Sequence, residues 1–219
     1  MERSMEEFKK LMDVANRLND PETGCPWDVK QTFKSLQKYI LEEACELVDA
    51  VDDDDDKDII EELGDYLYVM IFYSKVAEKE NRFTLQDVIE QVTEKLIRRH
   101  PHIFGDVSCK TPKEVEKVWD EVKAIEKSHR KSALDGIPRS LLALARAQKV
   151  LAKLIDHEYE NVKSLAPKKV SENEMGKQFI DLILQAEADG IDAERCLRNA
   201  IKTYEKGFRD WEGEKQKNS

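Results

Sequence analysis

Two short acidic clusters, Glu42-Glu43-Ala44-Cys45-Glu46 and Glu61-Glu62-Leu63-Gly64-Asp65, sit inside apolar periodic segments and constrain the chain more than any other feature. In a helix of about 3.6 residues per turn, positions i and i+3 share a face. Glu43 and Glu46 then project together, as do Glu62 and Asp65. The first cluster lies in a segment from about Thr32 to Val51 whose apolar stripe is Phe33, Leu36, Ile40, Leu41, Ala44, Leu47, Val48 and Val51. The second opens a helix from Ile59 to about Glu80 that is apolar almost without interruption from Tyr66 to Val76. That helix belongs at the centre of a bundle. The connection between the two is short, so the helices should pack antiparallel and bring four carboxylates to one seam.

Like charges at close range repel, and burying them is costly without a counter-ion. A divalent cation removes the repulsion, and an all-oxygen ligand set suits Mg²⁺ or Mn²⁺. A di-iron carboxylate bundle would call for Glu-x-x-His, which is absent. The competing reading is a solvated face, since E-x-x-E pairs decorate helices in any charge-rich acidic protein. Two details argue against it. Each cluster is flanked by the apolar stripe, as with Leu41 and Leu47 or Leu63 and Leu67. Gly64 inside a helix costs roughly 1 kcal/mol relative to Ala, which predicts a close approach by a neighbouring helix or a ligand.

The rest of the chain also reads as helix. Glu6 to Leu18 is amphipathic, and Asn19 to Asp28 is dense in turn formers. Asp52 through Asp56 reads as a solvated connection. Thr84 is placed to cap a helix running to Arg99, with Asp87 at its third position, and His100-Pro101-His102 ends it. Thr111-Pro112 opens a charged helix to about Arg130. Beyond Asp135-Gly136-Ile137-Pro138 the chain begins again with an amphipathic segment, Ser140 to Ile155. A loop from Val162 to Val170 and two further helices follow. Glu174-Met175-Gly176-Lys177 echoes Glu62-Leu63-Gly64-Asp65, a weak internal repeat. The expectation is an all-α protein: an antiparallel four-helix-bundle unit over residues 1–130 and a shortened, degenerate second unit over 131–219.

Composition narrows the function. Thirty-six basic against 46 acidic side chains give a net charge of −10, so stable binding to nucleic-acid backbone is not expected. Eight Gly and six Pro are too few for a turn-rich all-β fold. No apolar run is long enough to span a membrane, and the first residues lack the apolar core of a signal peptide. Cys25, Cys45, Cys109 and Cys196 are scattered without a C-x-x-C pair, which disfavours a zinc site or disulfide framework. The expected location is the cytoplasm.

The E-E-x-x-E and E-x-x-D motifs, with Gly24-Cys25-Pro26-Trp27-Asp28 and Lys95-Leu96-Ile97-Arg98-Arg99-His100-Pro101-His102, resemble the MazG-type all-α nucleoside triphosphate pyrophosphohydrolases. The resemblance covers Met1 to Arg130 and continues more weakly to Trp211. It implies hydrolysis of a nucleoside triphosphate between the α and β phosphates, giving a monophosphate and pyrophosphate. It also implies that Glu43, Glu46, Glu62 and Asp65 hold Mg²⁺, that Glu42 orients or deprotonates the attacking water, and that Lys95, Arg98 and Arg99 meet the triphosphate. The competing reading of that basic group is a cationic helix C-terminus favoured by the macrodipole. Trp119 lies where an aromatic near the nucleobase is expected, and plain packing explains it equally well. His100 and His102 read as helix-ending and packing residues, Trp27 as a plug for the entry loop. Tyr66, Tyr68, Phe72 and Tyr73 form a stripe belonging to the core or a dimer interface.

The second half departs from the pattern. Lys177 stands where Asp65 stands in the first half, and no E-E-x-x-E precedes Glu174: residues Ser164 to Ser171 read Ser-Leu-Ala-Pro-Lys-Lys-Val-Ser. With Ile191 aligned to Phe83, Thr203 and Gly207 stand opposite Lys95 and Arg99. This half is expected to serve dimerisation or stability. The apolar coverage of the third helix, together with the pairing of units among the related enzymes, predicts an obligate homodimer. Two non-catalytic alternatives remain: a nucleotide sensor or scaffold retaining the metal, and a helical adaptor binding neither metal nor nucleotide.

Overall fold

The computed structural model describes residues 2–163 and 169–217, and these divide into two compact units, 1–123 and 124–219. The division falls within a helix, earlier than the boundary expected at residue 130. Among the described residues there is no strand, and no helix is long and apolar enough to cross a membrane.

The first unit contains α1 (Glu2–Leu18), α2 (Gln37–Asp52), α3 (Asp56–Lys79), α4 (Leu85–Arg99), the one-turn α5 (Pro101–Phe104) and most of α6 (Pro112–Glu126). Helix α3 is central, with α1, α2 and α4 each packed on it and α2 most extensively. Its buried side chains Val69, Ile71, Phe72 and Val76 come from the apolar block that marked it as central, and Ala77 follows directly after it. Leu36, Phe72 and Val76 form the core, flanked by Phe33, Tyr39, Tyr68 and Tyr73.

The connections show why the helices stop where they do. Helix α2 starts later than its apolar stripe suggests, because Thr32 and Ser35 exchange side-chain-to-backbone hydrogen bonds that hold a turn. The aspartate run between α2 and α3 is more than a solvated link. Asp54 takes a left-handed φ of 56°, and Asp55 accepts from the amides of Lys57 and Asp58 as the N-cap of α3. Thr84 and Asp87 form the expected capping box on α4. Gly24 is sterically required: a Cβ there would stand 2.5 Å from the carbonyl oxygens of both Leu18 and Asp20.

The second unit contains α7 (Ala143–Asp156), the short α8 (Glu160–Lys163), α9 (Glu172–Ala188) and α10 (Ala193–Lys217). Helices α7 and α10 pair over Leu134, Val150, Leu154, Tyr159, Val162 and Phe208. The loop expected from Val162 to Val170 gives way at its start to α8, and its centre lies outside the described residues. Helix α9 buries no residue, leaving Phe179, Ile180, Leu182, Ile183 and Leu184 exposed.

Candidate metal centre

Glu43 projects from α2, and Glu62 and Asp65 project one turn apart from α3. One carboxylate oxygen from each of the three lies within 4.8 Å of the others. Such a triangle is explained by the hairpin of α2 and α3, whose packing brings the two acidic faces together. Glu46, expected as a fourth ligand, stands outside this triangle and is exposed. Its charge still reaches the cluster, acting on both Glu43 and Glu62. Glu42 is exposed beside them and adds to the negative potential on Glu43.

The electrostatics match this crowding. Desolvation, followed by the charges of Asp65, Glu46, Glu62 and Glu42, holds the Glu43 carboxyl above its ordinary value. Glu62 is raised first by desolvation and then by Glu46 and Asp65. One oxygen of Glu62, Oε2, is shielded from solvent with no hydrogen-bond partner. A buried carboxylate oxygen without a donor is costly, and a divalent cation among three carboxylates supplies the missing partner. The residues present therefore fit a hard divalent cation.

Of the two approaches that Gly64 suggests, by a neighbouring helix or by a ligand, the first is not made within this chain. A Cβ there would meet nothing within 4 Å, so no neighbouring helix of this chain approaches it. Its surroundings on α3 are the exposed apolar side chains Ile60, Leu63 and Leu67.

The entry loop is tied to the same helix. Trp27 meets Tyr39 edge-on at 5.6 Å and Phe72 at 6.2 Å between ring centroids, as a plug would. Asp28 is buried and accepts a 3.4 Å hydrogen bond from the Tyr68 hydroxyl. Burial, and then the Asp28 charge, pushes the Tyr68 phenol up to about 12. The sequence placed Tyr68 in an apolar stripe; its polar tie to Asp28 spans 40 positions and no local period announces it.

The basic group lies on the last turns of α4. Lys95 and Arg99 are half-buried and Arg98 is exposed. Arg99 stands over the Trp119 ring of α6 at 5.5 Å from its centroid. His100 packs against the same ring, and the His102 ring lies 5.5 Å from that of His100. The two histidines thus end α4 and pack, as their flanking of Pro101 suggests.

Comparison with known proteins gives consistent matches. The MazG nucleotide pyrophosphohydrolase domain family matches residues 31–104. A nucleoside triphosphate pyrophosphohydrolase of Escherichia coli K12 is 36% identical over 231 residues, covering 95% of this chain and 88% of that protein. The nucleoside triphosphate pyrophosphohydrolase/pyrophosphatase MazG of Thermotoga maritima is 33% identical over 222 residues, covering 94% and 85% respectively. Among solved structures, a mazG-related protein from Thermotoga maritima superposes with a TM-score of 0.46 at 30% identity, over 52% of this chain and 97% of that one.

Proposed function

The chain belongs to the MazG nucleotide pyrophosphohydrolase family, and from that premise we propose that it hydrolyses nucleoside triphosphates between the α and β phosphates with Mg²⁺ or Mn²⁺ as cofactor. It is an enzyme of the nucleoside triphosphate pyrophosphohydrolase type. The products of that cleavage are a nucleoside monophosphate and pyrophosphate. The observation carrying this reading is that Glu62, whose Oε2 is shielded and has no partner, belongs to the triangle with Glu43 and Asp65.

In this reading Glu43, Glu62 and Asp65 hold the cation, with Glu46 joining from the next turn of α2. The bound cation would neutralise phosphate charge and polarise the anhydride. Glu42 accepts the proton of the attacking water, as an exposed carboxylate beside the cluster can. The water oxygen forms one new bond to phosphorus while the α–β bridging bond breaks and pyrophosphate departs. Lys95, Arg98 and Arg99 bind the phosphates, the arginines through forked N–H donors and the lysine as a point charge. The catalytic unit is the first MazG-like domain, expected to end near residue 130, and the second is its degenerate counterpart. The scattered cysteines suit a reducing compartment, in keeping with a cytoplasmic enzyme.

Purified protein given a panel of nucleoside triphosphates and Mg²⁺ is expected to release one pyrophosphate per monophosphate formed, and none in chelator. Release of orthophosphate instead would contradict the proposed bond. Binding of metal and nucleotide with no turnover would indicate a sensor, and binding of neither would indicate an adaptor.

A homodimer is part of the proposal. Ile60, Leu63, Leu67 and Met70 on α3, with Leu41 and Val48 on α2, are exposed around the acidic seam. Ile60, Leu63, Leu67 and Met70 recur at helical spacing, and an exposed apolar stripe of that kind favours burial against a second copy. Sedimentation at micromolar concentration should give twice the 25.4 kDa chain mass, and a monodisperse 25.4 kDa species would refute it.

A further inference from the structure

We propose that Trp119 is a positioning residue that, together with His100, holds the Arg99 guanidinium in place for the polyphosphate instead of receiving the nucleobase. This rests on the reading above in which Arg99 meets the triphosphate.

The argument starts at the end of α4, whose last carbonyls lack helical partners. The His100 amide turns back to the Ile97 carbonyl at 3.2 Å, so it does not serve that of Leu96. The His100 ring takes that place, with Nδ1 2.6 Å from the Leu96 carbonyl oxygen. A carbonyl only accepts, so Nδ1 carries the proton, and this bond fixes both tautomer and ring orientation. The fastened imidazole meets Trp119 with ring centroids 4.9 Å apart and planes at 80°, a favourable edge-to-face pair. Arg99, the preceding residue, places its Cζ 5.5 Å from the centroid of the same indole, within cation–π range. Two successive residues at the end of one helix thus bear on a single ring from another.

That arrangement suits a phosphate contact. A guanidinium drawn to an aromatic ring by its charge keeps the forked N–H donors that can bind two phosphate oxygens at once. Holding a long, many-rotamer side chain in one orientation before substrate arrives reduces the ordering required on binding. A nucleobase stacked on Trp119 would have to share the ring that Arg99 and His100 already contact.

Inorganic tripolyphosphate separates the two roles, because it carries the phosphates and no base. As a competitive inhibitor of the Mg²⁺-loaded enzyme it should bind about threefold more weakly to Trp119→Leu, the loss expected of one partly exposed cation–π contact. KM for nucleoside triphosphates should rise by a similar factor for purines and pyrimidines alike, with kcat changed less than about twofold. Trp119→Phe, which keeps a ring face, should recover most of the loss. On an Arg99→Ala background Trp119→Leu should add nothing. Unchanged tripolyphosphate inhibition in Trp119→Leu, with a base-dependent rise in KM, would make Trp119 a base platform and overturn the proposal. Equal losses in Trp119→Phe and Trp119→Leu, tracking a lowered melting temperature, would reduce it to packing and overturn it as well. If Arg99→Ala itself leaves tripolyphosphate inhibition intact, the assignment of Arg99 to phosphate fails, which is a different result from either.

Discussion

Glu62→Gln should abolish metal-dependent hydrolysis while leaving the metal-free protein at least as stable as wild type. Both halves of that result follow from one geometry. Glu62 shares a 4.8 Å triangle with Glu43 and Asp65, and its Oε2 is a shielded acceptor with no donor. Replacing it by an amide removes an anionic ligand, weakens the hold on the cation and leaves the triphosphate charge less well offset. A loss of about a hundredfold or more in pyrophosphate release is expected, comparable to deleting one electrostatic partner of a developing anion. Without metal the same change relieves repulsion among the acids. The melting temperature of apo Glu62→Gln should therefore equal or exceed that of apo wild type. Saturating Mg²⁺ should raise wild type by about 5–10 °C, the shift expected from ~2.7 kcal/mol at a hundredfold excess over Kd, and should barely move the variant.

The pH dependence carries the same sign. Glu43 and Glu62 hold their protons more tightly in the folded chain than the ordinary glutamate value of 4.5 allows. A carboxylate raised on folding contributes stability that is present below the unfolded pKa and lost as pH rises through the folded one. Apo wild type should thus lose stability as pH climbs from about 4.5 through the raised values, and Glu62→Gln should show a shallower decline. Differential melting across that window in chelator measures it. Equal slopes, with Mg²⁺ shifting neither protein and pyrophosphate release unaltered, would mean the acids are a solvated face.

How far the sequence carried the fold depended on whether each feature was local. Periodicity located α3 as the central helix because Val69, Phe72 and Val76 repeat at helical spacing. The Thr84–Asp87 capping box was readable because both partners lie within one turn. The acidic triangle was also legible, since i, i+3 spacing and a short hairpin leave the two helices one way to face each other. Glu46 falls outside it because sharing a helix face only bounds a direction; the oxygen positions depend on helix rotation, which tertiary packing sets. Asp55 was hidden as a cap inside a run of identical residues, where charge pattern obscured hydrogen-bonding role. Gly64 bounded less, because a glycine in a helix signals missing bulk without saying what fills the space, and no helix of this chain does. The grouping of Arg99, His100 and Trp119 was not legible, since α5 and a turn separate the two helices that supply it.

All hydrolysis should reside in the first half, and paired substitutions in the two halves should show it by opposite outcomes. Glu43→Gln should lower pyrophosphate release about a hundredfold, while Glu174→Gln should change it less than about twofold. Helix α9 carries the weak sequence echo of the acid-bearing helix, but Lys177 stands one turn beyond Glu174 where Asp65 follows Glu62. An ammonium at that position repels a cation and offsets Glu174 without any metal. Of the two helices that precede α9 in this unit, α7 offers Arg146, Lys149 and Lys153 with Asp156 as its only acid, and the one-turn α8 adds only Glu160. Arg146 is engaged by Glu205 at 2.6 Å and by the carbonyl of Pro138, a structural use of charge. The position aligned with Arg99 is Gly207, where a Cβ would come within 2.8 Å of the Tyr159 hydroxyl; packing there excludes the side chain that would meet phosphate. Restoring one acid by Lys177→Asp should therefore create no second site, since among the described residues the one group of three acids close enough to share a cation is Glu43, Glu62 and Asp65. Titration calorimetry should find metal binding lost in Glu43→Gln and kept in Glu174→Gln and Lys177→Asp. A Glu174→Gln enzyme that lost both metal and turnover would move the active site to the second half and overturn the assignment.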